Sequence, residues 1–159
     1  MSDKSKKDEN AGQVAINKKA YHNFEIVEKY EAGLSLLGSE VKSLRAATAD
    51  LTGSYGRVDG RECWLVGATI SPYQQSGQFG HAPDRKRKLL LHKSEIRKIK
   101  SKLDLRGFTL VPLRIYFNKR GIAKIEIALA RGKRQYDKRR AISERQSKKD
   151  IDRETKKYR

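Results

Sequence analysis

The sequence predicts a mainly β domain with short helices, an antiparallel sheet closed into a small barrel, followed by a basic tail. Three observations lead there. Apolar residues alternate with polar ones in several runs separated by tight-turn signals. Two short stretches between those runs switch to helical spacing. The last 28 residues, "GKRQYDKRRAISERQSKKDIDRETKKYR", hold almost nothing that can enter a core.

The elements follow in chain order. The leader "MSDKSKKDENAGQ", residues 1–13, has no apolar rhythm and is expected to be disordered, with order beginning near Val14. In "YHNFEIVEKYEAG", Phe24 and Ile26 stand on one side and Glu25 on the other, the period of a half-buried strand. The period changes in "GSEVKSLRAATA": Ser39 can cap, Glu40 suits the positive end of a helix, and Val41, Leu44 and Thr48 share a face.

Strands return after Leu51. Asp59-Gly60 tolerates the positive φ of a hairpin turn and joins a short strand to a longer one, Glu62 to Ile70, with Trp64, Val66 and Ile70 read as facing inward. "SPYQQSGQFGHAPD" is a long loop of a kind that is usually functional or mobile. "RKLLLHKSEI" puts Leu89 and Leu91 on one face of a strand and Leu90 on the other. Ile96, Ile99 and Leu103 then mark a helix stopped by Gly107; His92 and Glu95 have capping-box spacing, with Ser94 as a rival cap. A last hairpin sets Val111, Leu113, Ile115 and Phe117 on one face, turns at Gly121, and continues with Ala123, Ile125, Ile127 and Leu129 inside and Lys124 and Glu126 outside. Pro112 marks an edge or a bulge. Such a series fits a barrel of the oligonucleotide-binding type over residues 14–131, with residues 132–159 as a tail.

The charge balance narrows the function. The chain carries 37 Lys and Arg against 19 Asp and Glu, a net +18, and only 36% hydrophobic residues against roughly 45–50% in an average domain. So large an excess repels itself unless a polyanion supplies counter-charge, and nucleic acid leads the candidates, ahead of an anionic membrane or an acidic protein. Neither a signal peptide nor a long apolar run is visible, which points to a soluble cytoplasmic protein. The three histidines lie apart, without ligand spacing for a metal, and no phosphate loop or nucleophile motif occurs, so a cofactor-free binding protein is favoured over an enzyme. Cys63 reads as an ordinary packed strand residue.

From Arg131 onward 13 basic and 5 acidic residues give +8, while residues 1–130 hold 24 and 14 for +10. The tail is thus nearly four times as dense in charge. Ile142 and Ile151 cannot build a helical stripe, yet Glu144 with Lys148 and Asp152 with Lys156 favour a helix, and no Gly or Pro interrupts residues 133–159. Arg145, Lys149 and Arg153 repel one another at i,i+4. The tail is therefore expected to be disordered alone and helical along RNA.

Taken in order, "NKKAYHNF", "YEAGLSLLGSEVKSLR", "RKLLLHKSEI", "IAKIEIALARGKRQYDKR" and the basic tail resemble the small protein B family, the transfer-messenger RNA partners of bacterial ribosome rescue. The likeness runs from about Ile16 to Arg159. It implies an oligonucleotide-binding-like barrel that grips the tRNA-like part of that RNA and a tail that becomes helical in the empty decoding centre and messenger channel of the small ribosomal subunit. It also implies partners reached through the RNA, elongation factor Tu and alanyl-tRNA synthetase, a monomeric chain and no membrane. A structural ribosomal RNA-binding protein is the alternative.

Carried over residue by residue, the resemblance makes Asn17, Lys18, Lys19, His22, Glu31, Arg85, Lys86, Arg87, Lys88, Leu90, His92 and Lys124 contacts to the transfer-messenger RNA. Glu31 would act by accepting from base amino groups or a 2′-hydroxyl, since a carboxylate repels phosphate. In the tail, Lys133, Arg134, Tyr136, Asp137, Lys138, Arg139, Arg140, Arg145, Lys148, Lys149 and Arg153 would meet the ribosome. Tyr136 stands where the family commonly has His, which keeps a stacking face and removes the titratable cation.

Overall fold

The structure is a computed structural model that describes residues 12–157; the side chains at 79, 135–138, 141, 152 and 154–157 are outside the description. Nine strands and four α-helices run in the order β1 (Gln13–Ile16), α1 (Lys18–Asn23), β2 (Phe24–Leu34), α2 (Gly38–Arg45), β3 (Ala49–Asp50), β4 (Tyr55–Asp59), β5 (Glu62–Val66), β6 (Thr69–Ile70), β7 (Arg87–Leu90), α3 (Lys93–Leu103), β8 (Phe108–Phe117), β9 (Ala123–Gly132) and α4 (Gln135–Lys157) among the described residues. All strand pairs are antiparallel. The large sheet has the order β1-β8-β4-β5-β7-β2-β9, and the pairing of β8 with β9 closes it. The cycle holds six strands, one more than the five of an oligonucleotide-binding barrel.

The barrel is filled by alternate residues from every wall, including Ala32, Cys63, Leu65, Leu89, Leu110, Ile115, Ile125, Ile127 and Leu129. Helix α3 covers the core with Ile96 and Ile99, and α2 does so with Leu44. Leu89 is buried, Leu91 packs against the core and Leu90 is exposed, as the alternation required. Gly56 belongs to the same packing: a Cβ there would lie 2.4 Å from Leu110 Cδ2, so only glycine lets β4 come this close to β8.

A second, smaller core lies outside the barrel wall. Ala20 of α1 packs with Val111, Leu113, Ala128 and Ala130, flanked by Tyr21, Phe24 and Ile26. Two irregularities make this possible, one in β2 between Ile26 and Glu28 and one in β8 between Pro112 and Arg114. They turn Val111 and Leu113 to the α1 side while Ile115 stays inside, so the single face read from the sequence is two faces, and Phe117 is only half-buried.

Three other expectations are corrected. The strand drawn from Glu62 to Ile70 is broken at Gly67, whose φ is +78°, into β5 and β6. Cys63 and Leu65 fill the core, Trp64 and Val66 face outward half-buried, and only Ile70 points inward as expected. Ser39 is not the cap of α2: Leu37 occupies that position, its amide donates to Glu40 Oε2 at 2.8 Å, and the Ser39 hydroxyl instead donates to His81 Nδ1 at 2.9 Å. His81 Nε2–H donates to the Ile70 carbonyl at 2.9 Å, so the long loop, which contains a short 3₁₀ turn at Gln74–Phe79, is pinned at its far end. In α3 the cap is His92, whose amide donates to Glu95 Oε2 at 2.9 Å, and Ser94 lies within the helix.

The tail is the fourth. Expected to lack structure alone, it is the 23-residue helix α4 in the chain by itself. Its uninterrupted sequence and the i,i+4 pair Arg140–Glu144 at 3.2 Å favour the helix, and every described side chain from Arg139 to Arg153 is exposed. Of the leader, residues 1–11 lie outside the described residues, and β1 starts at Gln13.

Candidate nucleic-acid interface

One rung crosses three strand pairs on the outer face of the barrel: Tyr116 of β8 stands opposite Lys124 of β9, Lys124 opposite Gly33 of β2, and Gly33 opposite Leu90 of β7. Gly33 leaves the surface open, and Leu90 folds across it, its Cβ 3.2 Å from where a Gly33 Cβ would be. Leu90 remains 54% exposed, an apolar group held in water for want of a partner in the chain.

The next rung is polar. Glu31 of β2 stands opposite Glu126 of β9, which stands opposite Arg114 of β8. Like charges directly opposite repel. Cations relieve them: Glu126 takes Lys29 at 3.0 Å and Arg114 at 2.8 Å. Burial alone would raise the Glu126 carboxyl, but these two partners hold it below the usual carboxylate range. Glu31 accepts a short hydrogen bond from the Tyr116 hydroxyl and lies 3.9 Å from Lys124 Nζ. Burial, and then that bond, push the Tyr116 phenol up, so it stays a donor.

The face thus presents an exposed leucine, a half-buried lysine, an anchored but exposed carboxylate and a tyrosine ring carrying Arg114 at 5.2 Å from its centroid. Three cations (Lys29, Arg114, Lys124) meet two carboxylates, a weak positive excess. A surface built only for phosphate would carry no acid. The mixture suits base edges and 2′-hydroxyls flanked by backbone.

The structure brings Glu31, Leu90 and Lys124 together and separates others from them. Arg87 is fully buried: Nε donates to Glu40 Oε1 at 2.9 Å, and the other guanidinium nitrogens to the carbonyls of Ala68, Arg85 and Pro83. It cannot reach a phosphate. Asn17 is likewise internal, 5% exposed, its amide donating to Leu51 and Pro112 carbonyls and its oxygen accepting from Ala20 at the start of α1. These two hold the fold and leave the surface set. Arg85 is tied to Glu40 at 2.6 Å and Lys88 to Glu62, while Lys86 is exposed.

Lys18 and Lys19 are exposed on α1, His22 is half-exposed in its last turn, and exposed His92 caps α3. At the tail's base, Lys133 Nζ donates to the Tyr21 carbonyl at 3.3 Å. Arg134, Arg139, Arg140, Arg145, Lys148, Lys149 and Arg153 are exposed; the side chains of Tyr136, Asp137 and Lys138 lie outside the described residues. Sequence reasoning missed Lys29, Arg114 and Tyr116. The alternation that placed Ile115 inside already placed Arg114 and Tyr116 outside, and that was the signal.

Among the described residues no group of three or more His, Cys, Asp or Glu could hold a metal, and no helix is long and apolar enough to cross a membrane. Burial raises the Cys63 thiol to about 11, so it stays protonated.

Comparison with known proteins gives a consistent result. A family model described as SmpB protein matches residues 14–157. An SsrA-binding protein of Sulfurihydrogenibium sp. (strain YO3AOP1) is 53% identical over 139 residues, 87% of this chain and 91% of that one. One from Desulforamulus reducens is 44% identical over 96% of this chain and 95% of its own length. A chain of the solved structure "tmRNA-SmpB: a journey to the center of the bacterial ribosome" superposes with a TM-score of 0.67 and 48% identity, covering 83% of this chain and 95% of that chain.

Proposed function

The chain belongs to the SmpB protein family, and from that premise we propose that it is an RNA-binding factor of trans-translation, which binds transfer-messenger RNA and acts with it on the stalled ribosome. The observation that carries this reading is the outward rung Tyr116–Lys124–Gly33–Leu90 with Glu31 beside it, a surface suited to bases as well as backbone. Residues far apart in sequence meet there with an exposed leucine that the fold does not use.

The body grips the tRNA-like part of the RNA with Glu31, Leu90 and Lys124. Lys18, Lys19, His22, Lys86, Lys88 and His92 contribute charge and stacking around the rim. The exposed α4 enters the empty messenger channel, where its cations lie along ribosomal RNA, with Tyr136, Asp137, Lys138 and Arg139 near the decoding centre. The protein performs no covalent chemistry and holds no cofactor; delivery by elongation factor Tu and charging by alanyl-tRNA synthetase act on the RNA it has shaped. It works as a cytoplasmic monomer.

Two variants test the division of labour. Leu90→Asp should abolish binding to the tRNA-like domain without changing the melting temperature, because the side chain is exposed. Deletion of residues 134–159 should leave that binding within about threefold while tagging on stalled ribosomes is lost. Leu90→Asp should lose tagging along with binding, since tagging needs the bound RNA; loss of binding as well as tagging on deletion of residues 134–159 contradicts the reading. A structural ribosomal protein, the second reading favoured by the exposure of every described side chain of the basic helix, would instead stay with ribosomal subunits through a high-salt wash.

A further inference from the structure

The only tryptophan of the sequence lies outside the surface described above. Trp64 is half-buried on the outer face of β5, where it stands between Arg57 of β4 and Lys88 of β7 in one rung. With Arg57, Asp59, Glu62, Val66 and Lys86 it lines an open cavity of about 240 Å³. Lys88 pairs with Glu62 at the rim. Among the described residues no cation covers the indole, and its N–H has no hydrogen-bond partner. A large aromatic face and a donor are left facing solvent.

The lining decides what kind of group fits. Glu62 is taken by Lys88 and Asp59 offsets one of Arg57 and Lys86, so the cavity carries only a weak positive excess and a phosphate gains little inside it. A neutral planar ring with polar edges gains stacking on the indole and hydrogen bonds from the rim. Position matters as well. Lys88 and Leu90 share one face of β7, and Trp64 is the strand neighbour of Lys88. Strands lie about 4.8 Å apart and i,i+2 residues about 7 Å apart. The cavity is therefore roughly one nucleotide's reach from Leu90.

We propose that Trp64 is a stacking platform for one unpaired nucleobase of the RNA seated on the Leu90–Lys124 face, with Arg57 and Lys86 meeting the phosphates on either side of that nucleotide. The site rests on the RNA-binding reading above and extends it around the barrel to β4 and β5. A sequence pattern that turned Trp64 inward had hidden it.

Because Trp64 is the sole tryptophan, its emission reports this site alone. The full chain is titrated with the tRNA-like domain of transfer-messenger RNA while binding is followed independently by anisotropy of end-labelled RNA. The expected result is quenching that saturates with the anisotropy curve, and no quenching by a perfectly paired duplex of similar length that binds through charge. Trp64→Leu should weaken binding between about fivefold and a hundredfold, and Trp64→Tyr should restore most of it. Full anisotropy change with unaltered emission overturns the inference and leaves the RNA-binding reading intact, as does equal quenching by the paired duplex. Absence of any anisotropy change removes both. Should Trp64→Leu fail to fold, the emission of the unaltered chain decides.

Discussion

Glu40 shows how a single residue organises a loop the sequence leaves unexplained. Its carboxylate is fully buried and receives Arg85 at 2.6 Å, Arg87 at 2.9 Å and the Leu37 amide at 2.8 Å. Arg87 then reaches the carbonyls of Ala68 and Pro83, so one acid ties α2, the turn between β5 and β6, and the end of the long loop. Burial pushes the carboxyl upward, yet the hydrogen bonds from Arg85 and Leu37 and the charge of Arg87 hold it below its ordinary 4.5. A depressed folded value contributes stability that is complete above 4.5 and is lost as pH falls through the lower folded value. Glu40→Gln leaves a buried guanidinium without its counter-charge and should cost about 3–5 kcal/mol at neutral pH. Thermal melts of the two proteins should differ most at pH 6–7 and converge as pH falls below 4.5 and through the lower folded value; a gap that stays constant across that range would show that the charge on Glu40 is not what stabilises the loop.

At the scale of elements, the strands and helices that alternate cleanly were legible. The β8–β9 hairpin, α2 and α3 follow from apolar spacing, and so does the outward position of Leu90. Less legible were the places where a strand changes face. Gly67 and the irregularities in β2 and β8 reverse which residues point inward, and alternation carries no mark of such a reversal beyond a glycine or Pro112 nearby. Trp64 was misplaced for this reason. Arg87 was misplaced for another: a basic run reads as a solvated face, and only the fold reveals the acid 47 positions away that buries it. Close approach is also invisible until β4 meets β8. Gly56→Ala should overpack Leu110 and cost roughly 1–3 kcal/mol in urea unfolding, whereas Gly53→Ala, at a solvent-facing turn with no atom within 4 Å, pays only the strain of its positive φ. For α4 the relevant change is Ser147→Pro, which removes one helical bond and breaks the rod about midway, at about 3 kcal/mol against helix. It should lower helical circular dichroism and abolish tagging while binding to the tRNA-like domain stays unchanged. Lost RNA binding would place α4 in the grip of the body.

The whole molecule carries +18, and its two parts divide that charge unequally. On the body, acids interrupt the cations: Glu126 and Glu31 sit within the outward rungs of the barrel, and Glu62 holds Lys88 beside Trp64. On α4 the described cations are exposed, and Arg140 is paired with Glu144. Binding through the body should therefore depend on shape and base contacts, with few counterions released, while binding through α4 should be almost purely electrostatic. Counterion release makes the logarithm of affinity fall linearly with the logarithm of salt, by about 0.7–0.9 per phosphate neutralised. Two RNAs and two proteins resolve the parts. For a paired duplex, removing residues 134–159 should lower affinity at least tenfold near 0.1 M salt and flatten the salt slope by several units. For the tRNA-like domain the same deletion should change the slope by less than about one unit, because the contacts proposed to select it lie on β2, β7 and β9. Equal flattening for both RNAs would mean that α4 grips every RNA alike and that the barrel confers no selection.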